Sequence, residues 1–208
     1  DAVVQLAERH NARVFTAPMA GRGAFPEDHR LFAGFLPAMR EKIVSLLQGH
    51  DVVFALGAPA FTYHVEGHGP HVPVGAKLVQ LIDDPATAAW TSEGISAVGN
   101  MRLGVLDLLA RPAPPARPAP PPRVKSPRAE PGSPMSVAFA LQTLDAVRGP
   151  ADIVVEEAPS ARSTMQAYLP MRRAGAFYTM DSGRHAVAQS AAVHGVERAS
   201  AAHRQVGL

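Results

Sequence analysis

Residues 51–71 read DVVFALGAPAFTYHVEGHGPH. Val52, Val53, Phe54, Ala55 and Leu56 form an unbroken apolar run, with the length and side-chain type of a strand buried on both faces. Gly57-Ala58-Pro59 stops the run. A tyrosine and three histidines follow at once: Tyr63, His64, His68 and His71. Immediately upstream, LPAMREKIVSLLQGHD carries Met39, Ile43, Leu46 and Leu47 at helical spacing, and Gly49 is placed to cap that helix at its carboxyl end. A helix feeding directly into a buried strand is the rhythm of a parallel sheet with covering helices. Ligands of such sheets lie beyond the carboxyl ends of the strands, where residues 57–71 fall.

The same rhythm extends in both directions. Val3, Val4, Leu6 and Ala7 predict a helix ending near His10-Asn11, and ARVFTA at 12–17 a short strand. Lys77 to Ile82 reads as a strand stopped by two aspartates and Pro85. GISAVG gives another short strand, and Met101, Val105, Leu108 and Leu109 one face of a closing helix. Residues 1–110 are therefore expected to form an α/β domain, a Rossmann-like parallel sheet with flanking helices.

Residues 111–134 differ in kind. Ten of these 24 residues are proline and none is aromatic. Such a segment cannot pack a core and favours an extended, semi-rigid form, so it is read as a linker. Residues 135–183 resume the α/β pattern as the start of a second, partial α/β domain. Ser133-Pro134 is placed as N-cap and first helical residue, with Val137, Leu141, Leu144 and Val147 on one face and Gly149-Pro150 as the stop. Strand Ile153 to Val155, turn Glu156 to Ser160 and helix Ala161 to Leu169 follow, and GAFYTMDSG gives a last strand and turn. From 184 to 208 the pattern lapses into an atypical tail with no clear strand.

Composition narrows the class. The chain has 208 residues, no cysteine, 47% hydrophobic residues and a formal net charge of +2. The absence of cysteine excludes a disulfide framework and thiolate metal sites, and fits a reducing, cytoplasmic compartment. Most of the basic excess lies in the proline-rich segment, so the chain is not read as a nucleic-acid binder. No apolar run approaches the roughly 18 residues of a membrane span, and no signal peptide is evident.

Chemistry concentrates at two turns. His64, His68 and His71 are open to three readings: a solvated loop, a metal site with Glu66, or a single working histidine at the strand's carboxyl end, since imidazole exchanges protons near neutral pH. Glycines and a proline interleave them, which fits poorly with the fixed ligand spacing of ordered zinc sites, and no metal ligand is assigned. Ser160, at a turn entering a helix, is either a simple N-cap or a phosphate contact.

These stretches together resemble a known family. GAFPEDHRLFAGFLPA, LLQGHDVVFALGAPAFTYH and VQLIDDPATAAW look like the central domain of thiamine-diphosphate-dependent 2-keto-acid decarboxylases, and within them the benzoylformate decarboxylases. IVVEEAPSARSTMQAYLP and GAFYTMDSG look like the start of that family's diphosphate-binding domain. The resemblance implies thiamine diphosphate and Mg²⁺ as cofactors, a small 2-keto acid as substrate, a carbon–carbon lyase reaction, and homotetrameric full-length relatives. The family's Arg-Tyr-His segment carries a proton-transfer histidine; here it reads Thr62-Tyr63-His64, which singles out His64 as catalytic. The family's Asn-Glu-Ser-Thr turn contacts the diphosphate; here it reads Glu156-Glu157-Ala158-Pro159 with Ser160 next. Pro159, Ser160 and Gly183 are thus the expected cofactor contacts, with Glu156 setting an anion near anions.

Other family features are not found. There is no Gly-Asp-Gly segment with paired asparagines to hold Mg²⁺, and the only asparagines are Asn11 and Asn100. The activating glutamate belongs to a domain that precedes the central one in family order. After Gly183, Arg184-His185-Ala186 stand where the family has a glycine-rich turn. The expectation is a fragment, N-terminally incomplete and out of register after Gly183, inactive by itself. Whether the chain alone is an enzyme stays open. The alternatives are a fragment of an acetolactate-synthase-like carboligase, disfavoured by the Tyr63-His64 pair, or a non-catalytic α/β interaction module using the proline-rich segment as a peptide ligand.

Overall fold

A computed structural model describes residues 2–179 and the strand at 205–207. The chain divides into two compact units, residues 1–20 with 33–121, and residues 21–32 with 122–208.

In the first unit, α1 (Ala2–His10) leads to β1 (Val14–Thr16), which pairs with β2 (Phe32–Phe35) in a two-stranded sheet. Next come α2 (Arg40–Leu46), β3 (Val52–Leu56), β4 (Lys77–Ile82), α3 (Pro85–Ala89), β5 (Ile95–Val98) and α4 (Met101–Ala110). β3, β4 and β5 form a parallel sheet in that order, with Phe54 beside Val79 beside Ile95, and Ala55 beside Gln80 beside Ser96. The expected α/β class holds, but β1 stands outside this sheet, and β2 and α3 add to the elements read from sequence.

Burial follows the alternation of β4: Leu78, Gln80 and Ile82 are buried on one face. Ala55, Ala60, Val72 and Leu78 form one core cluster; Leu36, Ile43 and Leu47 form another, with Val53, Phe61 and Tyr63 packed on both or one of them. The helical stripes are narrower than the sequence suggests. On α2 only Ile43 of the expected stripe is buried within the helix, while Met39 and Leu46 stay exposed; on α4 only Val105 is buried. β3 is likewise not buried throughout, since Val52 and Phe54 are exposed.

In the second unit, α5 (Val137–Val147) precedes β6 (Ile153–Glu156), a short 3₁₀ turn (Pro159–Ala161), α6 (Arg162–Tyr168) and β7 (Phe177–Thr179). β6 is central, parallel both to β7 and to β8 (Gln205–Gly207). The tail thus contributes a strand where none was expected. The cap of α5 also differs from the expectation: Ser136, not Ser133, accepts the Phe139 N–H at 3.2 Å. Leu141, Val154, Met165, Leu169, Met171 and Phe177 make the core of this unit.

Segment 21–32 packs within this second unit. Glu27 donates its N–H to Met171 O at 2.8 Å, and its carboxylate accepts the Met171 N–H at 2.9 Å. Arg22 and Glu27 form a buried ion pair, and Arg22 also donates to Leu169 O at 2.8 Å. The proline-rich segment has no helix or strand and is held at points along its length. Arg117 forms a bidentate pair with Asp51, and Ala129 exchanges hydrogen bonds with the Gln142 amide.

Asp145, at the end of α5, gathers Arg148 and Arg172, each within 2.9 Å. Burial alone would raise its carboxyl pKa, but the hydrogen bonds from Arg172 and Arg148 outweigh it and hold it below the usual range. A depressed folded-state pKa stabilises fully above the unfolded value, about 3.9, and that contribution fades as pH falls through the lower folded value. Thermal melts below about pH 4 are therefore expected to fall more steeply with pH for the parent than for Asp145→Asn. Parallel pH slopes would contradict the assignment.

Candidate functional site

β3 ends at Leu56, and the chain turns at Gly57, whose φ of +66° glycine adopts without strain. The Gly57 N–H bonds to Leu81 O at 2.9 Å, so the turn is tied to the neighbouring strand. The loop that follows brings Tyr63 into the core beside Leu36, Ile43 and Leu47, and leaves His64 exposed. His64 therefore lies on a loop just past the carboxyl end of the sheet, with its ring in solvent and its N–H bonded to Ala38 O at 3.0 Å.

The first turn of α2 holds the rest of the histidine loop. Buried Arg40 pairs with Glu66, donates to Gly69 O at 3.0 Å, and lies 5.2 Å from the centroid of the Tyr63 ring. Glu41 accepts the His68 N–H at 3.1 Å. Gly67 is required for this approach, because a Cβ there would stand 2.9 Å from both Arg40 Cβ and Glu41 Oε1. Hydrogen bonds from its own N–H and from that of His68 hold the Glu41 carboxyl below its usual pKa range. Burial pushes the Tyr63 phenol above its ordinary range, against the opposing pull of the Arg40 charge.

The three histidines separate by environment. The His71 Nδ1 lies 2.8 Å from Tyr63 Oη, and the His71 and Val72 N–H groups both donate to Glu93. His68 uses its backbone, and His64 alone combines an exposed ring with a place directly after Tyr63. Among the described residues, no group of three histidine, aspartate or glutamate side chains is arranged to hold a metal ion, and no helix is long and apolar enough to cross a membrane.

The loop that carries His64 also borders a cleft of about 240 Å³, which is lined by Tyr63 and Glu66 but not by His64 itself. Pro59 to Tyr63 and Glu66 line one wall, and Thr87, Trp90 and Thr91 at the end of α3 the other. Sequence reading missed Arg40, Glu93 and Trp90, whose roles depend on partners far along the chain. It also missed Gln80, although a lone amide in the apolar run LVQLI was a visible signal.

In the second unit, the turn after β6 presents Pro159 and Ser160 to solvent, at the carboxyl end of that strand. Ser160 is not an N-cap: α6 is preceded by Ala161 and has no side-chain cap. Glu156 points inward, fully buried. Its carboxylate accepts from Ala158 N–H at 2.7 Å and Thr179 Oγ1 at 2.5 Å, and pairs with Arg162 at 3.3 Å. The anion at this turn is thus internally compensated, while a serine hydroxyl and the half-exposed Arg162 remain at its surface. That donor set fits a phosphate group. Gly183 lies outside the described residues.

Comparison with known proteins gives a consistent picture. Residues 1–109 match the family described as thiamine pyrophosphate enzyme, central domain. The chain is 34% identical over 206 residues to benzoylformate decarboxylase of Pseudomonas aeruginosa, covering 99% of this chain and 39% of that protein. It matches the X-ray structure of a thiamin diphosphate-dependent enzyme from Mycobacterium smegmatis with a TM-score of 0.90 and 28% identity, over 100% of this chain and 41% of the other. Benzoylformate decarboxylase from Polynucleobacter necessarius matches with a TM-score of 0.88 and 30% identity, over 99% and 40% of the two chains. The 4-hydroxybenzoylformate decarboxylase of Rhodococcus jostii RHA1 matches with a TM-score of 0.87 and 30% identity, over 99% and 39%. The chain therefore spans about two fifths of the length of the relatives it matches.

Proposed function

Because the chain belongs to the thiamine pyrophosphate enzymes, through their central domain, we propose that it is part of a decarboxylase of aromatic 2-keto acids with His64 as its proton-transfer group. The observation that carries this reading is the placement of His64: an exposed imidazole on a tethered loop just past the carboxyl end of β3. A general acid–base group must reach a substrate atom while its backbone stays fixed. The hold of Arg40 on Glu66 and Gly69, and of Glu41 on His68, meets the second need, and solvent exposure meets the first.

Family membership implies thiamine diphosphate and Mg²⁺. The thiazolium ring supplies the electron sink for loss of carbon dioxide, and the protein supplies orientation and proton transfer. In this reading Ser160 would donate its hydroxyl to a phosphate oxygen, Arg162 would offset the phosphate charge, and Pro159 would shape the turn without competing as a donor. Buried Glu156 keeps Arg162 and Thr179 in place. Residues 1–110 then serve as the central domain, 111–134 as the linker and 135–183 as the start of the diphosphate-binding domain. A small 2-keto acid as substrate, homotetrameric assembly and a cytoplasmic location belong to the same reading.

The test is a graft. Residues 1–109 replace the corresponding central domain of the P. aeruginosa relative, and carbon dioxide release from benzoylformate is measured. Turnover by the folded graft is expected. A folded, cofactor-loaded graft that releases no carbon dioxide would contradict the reading.

A further inference from the structure

Gln80 is the one polar residue in the buried face of the central strand β4, and it is fully buried. A buried side-chain amide is costly unless its donors and acceptor find partners. Here Nε2 donates to Ala58 O at 2.8 Å, while Oε1 accepts from Thr91 Oγ1 at 2.7 Å and from Ser96 Oγ at 2.9 Å. The orientation of the amide is fixed by chemistry. A carbonyl oxygen only accepts, so the nitrogen must face Ala58, and both hydroxyls can donate to the oxygen.

Of these partners Thr91 lines the cleft, Ala58 directly precedes its lining residue Pro59, and Ser96 lies behind it on the sheet. Ala58 sits in the turn that opens the loop to Tyr63 and His64. Thr91 follows Trp90 at the end of α3, on the facing wall. Ser96 is the cross-strand neighbour of Gln80 on β5. An apolar residue at position 80 would fill the same core without joining any of them. We infer that Gln80 is a positioning residue that ties together the two walls of the cleft, joining the Gly57-Ala58-Pro59 turn, from which the loop to His64 starts, to the Trp90-Thr91 end of α3 through one amide. The consequence for proton transfer rests on the proposed role of His64. The anchoring itself does not.

The test uses the 208-residue chain and two readouts that need no turnover. Trp90 is its only tryptophan, so its fluorescence reports the α3 wall alone. The Gly57 and His64 amides, bonded to Leu81 O and Ala38 O, report the opposite wall by hydrogen exchange. Gln80→Leu is expected to shift Trp90 emission and to speed exchange at Gly57 and His64 about tenfold, the loss of one net buried hydrogen bond. The Arg148 amide, bonded to Leu144 O in the second unit, should not change. Gln80→Glu separates the hydrogen bond from side-chain volume: its protonated form can still donate to Ala58 O, and its ionised form cannot. Burial raises the pKa of such a carboxyl, so the ratio of variant to parent exchange rates, taken at each pH, should be near one at low pH and rise as pH climbs through that value.

Unchanged fluorescence and exchange in both variants would overturn the inference. So would equal acceleration at Arg148, which would signal general loosening. If neither Gln80 variant folds, Thr91→Val decides. It removes one arm outside the core and should shift Trp90 emission while sparing Gly57 and His64; an unshifted emission overturns the inference. A graft without decarboxylase activity would refute the role of His64 and leave these exchange rates as they are.

Discussion

In the grafted enzyme, His64→Ala is expected to lower kcat/KM for benzoylformate about 10²–10⁴-fold, the usual contribution of a positioned acid–base group. The fall should lie mainly in kcat, because the group acts on developing charge more than on ground-state binding. His68→Ala is the control. His68 lies on the same loop and is also exposed, yet it joins the structure through its backbone N–H to Glu41, so its removal should leave kcat/KM unchanged. Equal losses at both positions would indicate loop disturbance in place of chemistry. Retained activity in His64→Ala would remove the proposed role.

Glu27→Ala is expected to destabilise the second unit by about 3–5 kcal/mol, the cost of leaving a buried charge without its partner. The side chains of Arg22 and Glu27 are only 4% and 1% exposed. The Arg22 guanidinium also lies 5.0 Å from the Phe177 ring centroid, so water cannot readily replace the lost carboxylate. The same substitution frees the Met171 N–H, a second unmet need in the core. Urea unfolding followed by circular dichroism measures the effect. An apolar pair, Arg22→Met with Glu27→Leu, is expected to recover much of the loss, since well-packed hydrophobic replacements of buried ion pairs are often neutral. A Glu27→Ala midpoint equal to that of the parent would show that segment 21–32 does not bear on this unit's stability.

How much of this was legible in the sequence depended on the range of the interactions. The positions of β3, β4 and β5 could be read because apolar runs and their glycine or proline stops are local signals. β2 escaped because Phe32-Ala33-Gly34-Phe35 is short and carries a glycine with φ of +123°, which weakens any strand pattern. The cap of α5 was misplaced by three residues because Ser133-Pro134 and Ser136 offer competing signals, and only the geometry decides which hydroxyl reaches a free N–H.

The site was legible in part. Periodicity and spacing brought His64, His68 and His71 forward together and could not rank them. The resemblance in Thr62-Tyr63-His64 singled out the first. What the sequence could not reveal is the set of tethers. Arg40 reaches Glu66, Glu93 reaches His71, and Gln80 reaches both Ala58 and Thr91, and no local pattern encodes such pairs. At the second turn, Glu156 read as an anion facing anions. Its carboxylate is instead turned inward to Arg162 and Thr179, a direction that sequence does not carry.

The placement of His64 can be measured on the chain itself, without grafting or cofactor. Brief reaction with diethylpyrocarbonate, followed by peptide mass mapping, ranks imidazoles by their access to solvent. The geometry predicts that His64 reacts as readily as exposed His68 and ahead of His71, whose ring is half-buried and engaged by Tyr63. A His64 that reacts more slowly than His71 would mean that its ring does not stand free past the carboxyl end of the sheet, and would contradict its assignment as the proton-transfer group.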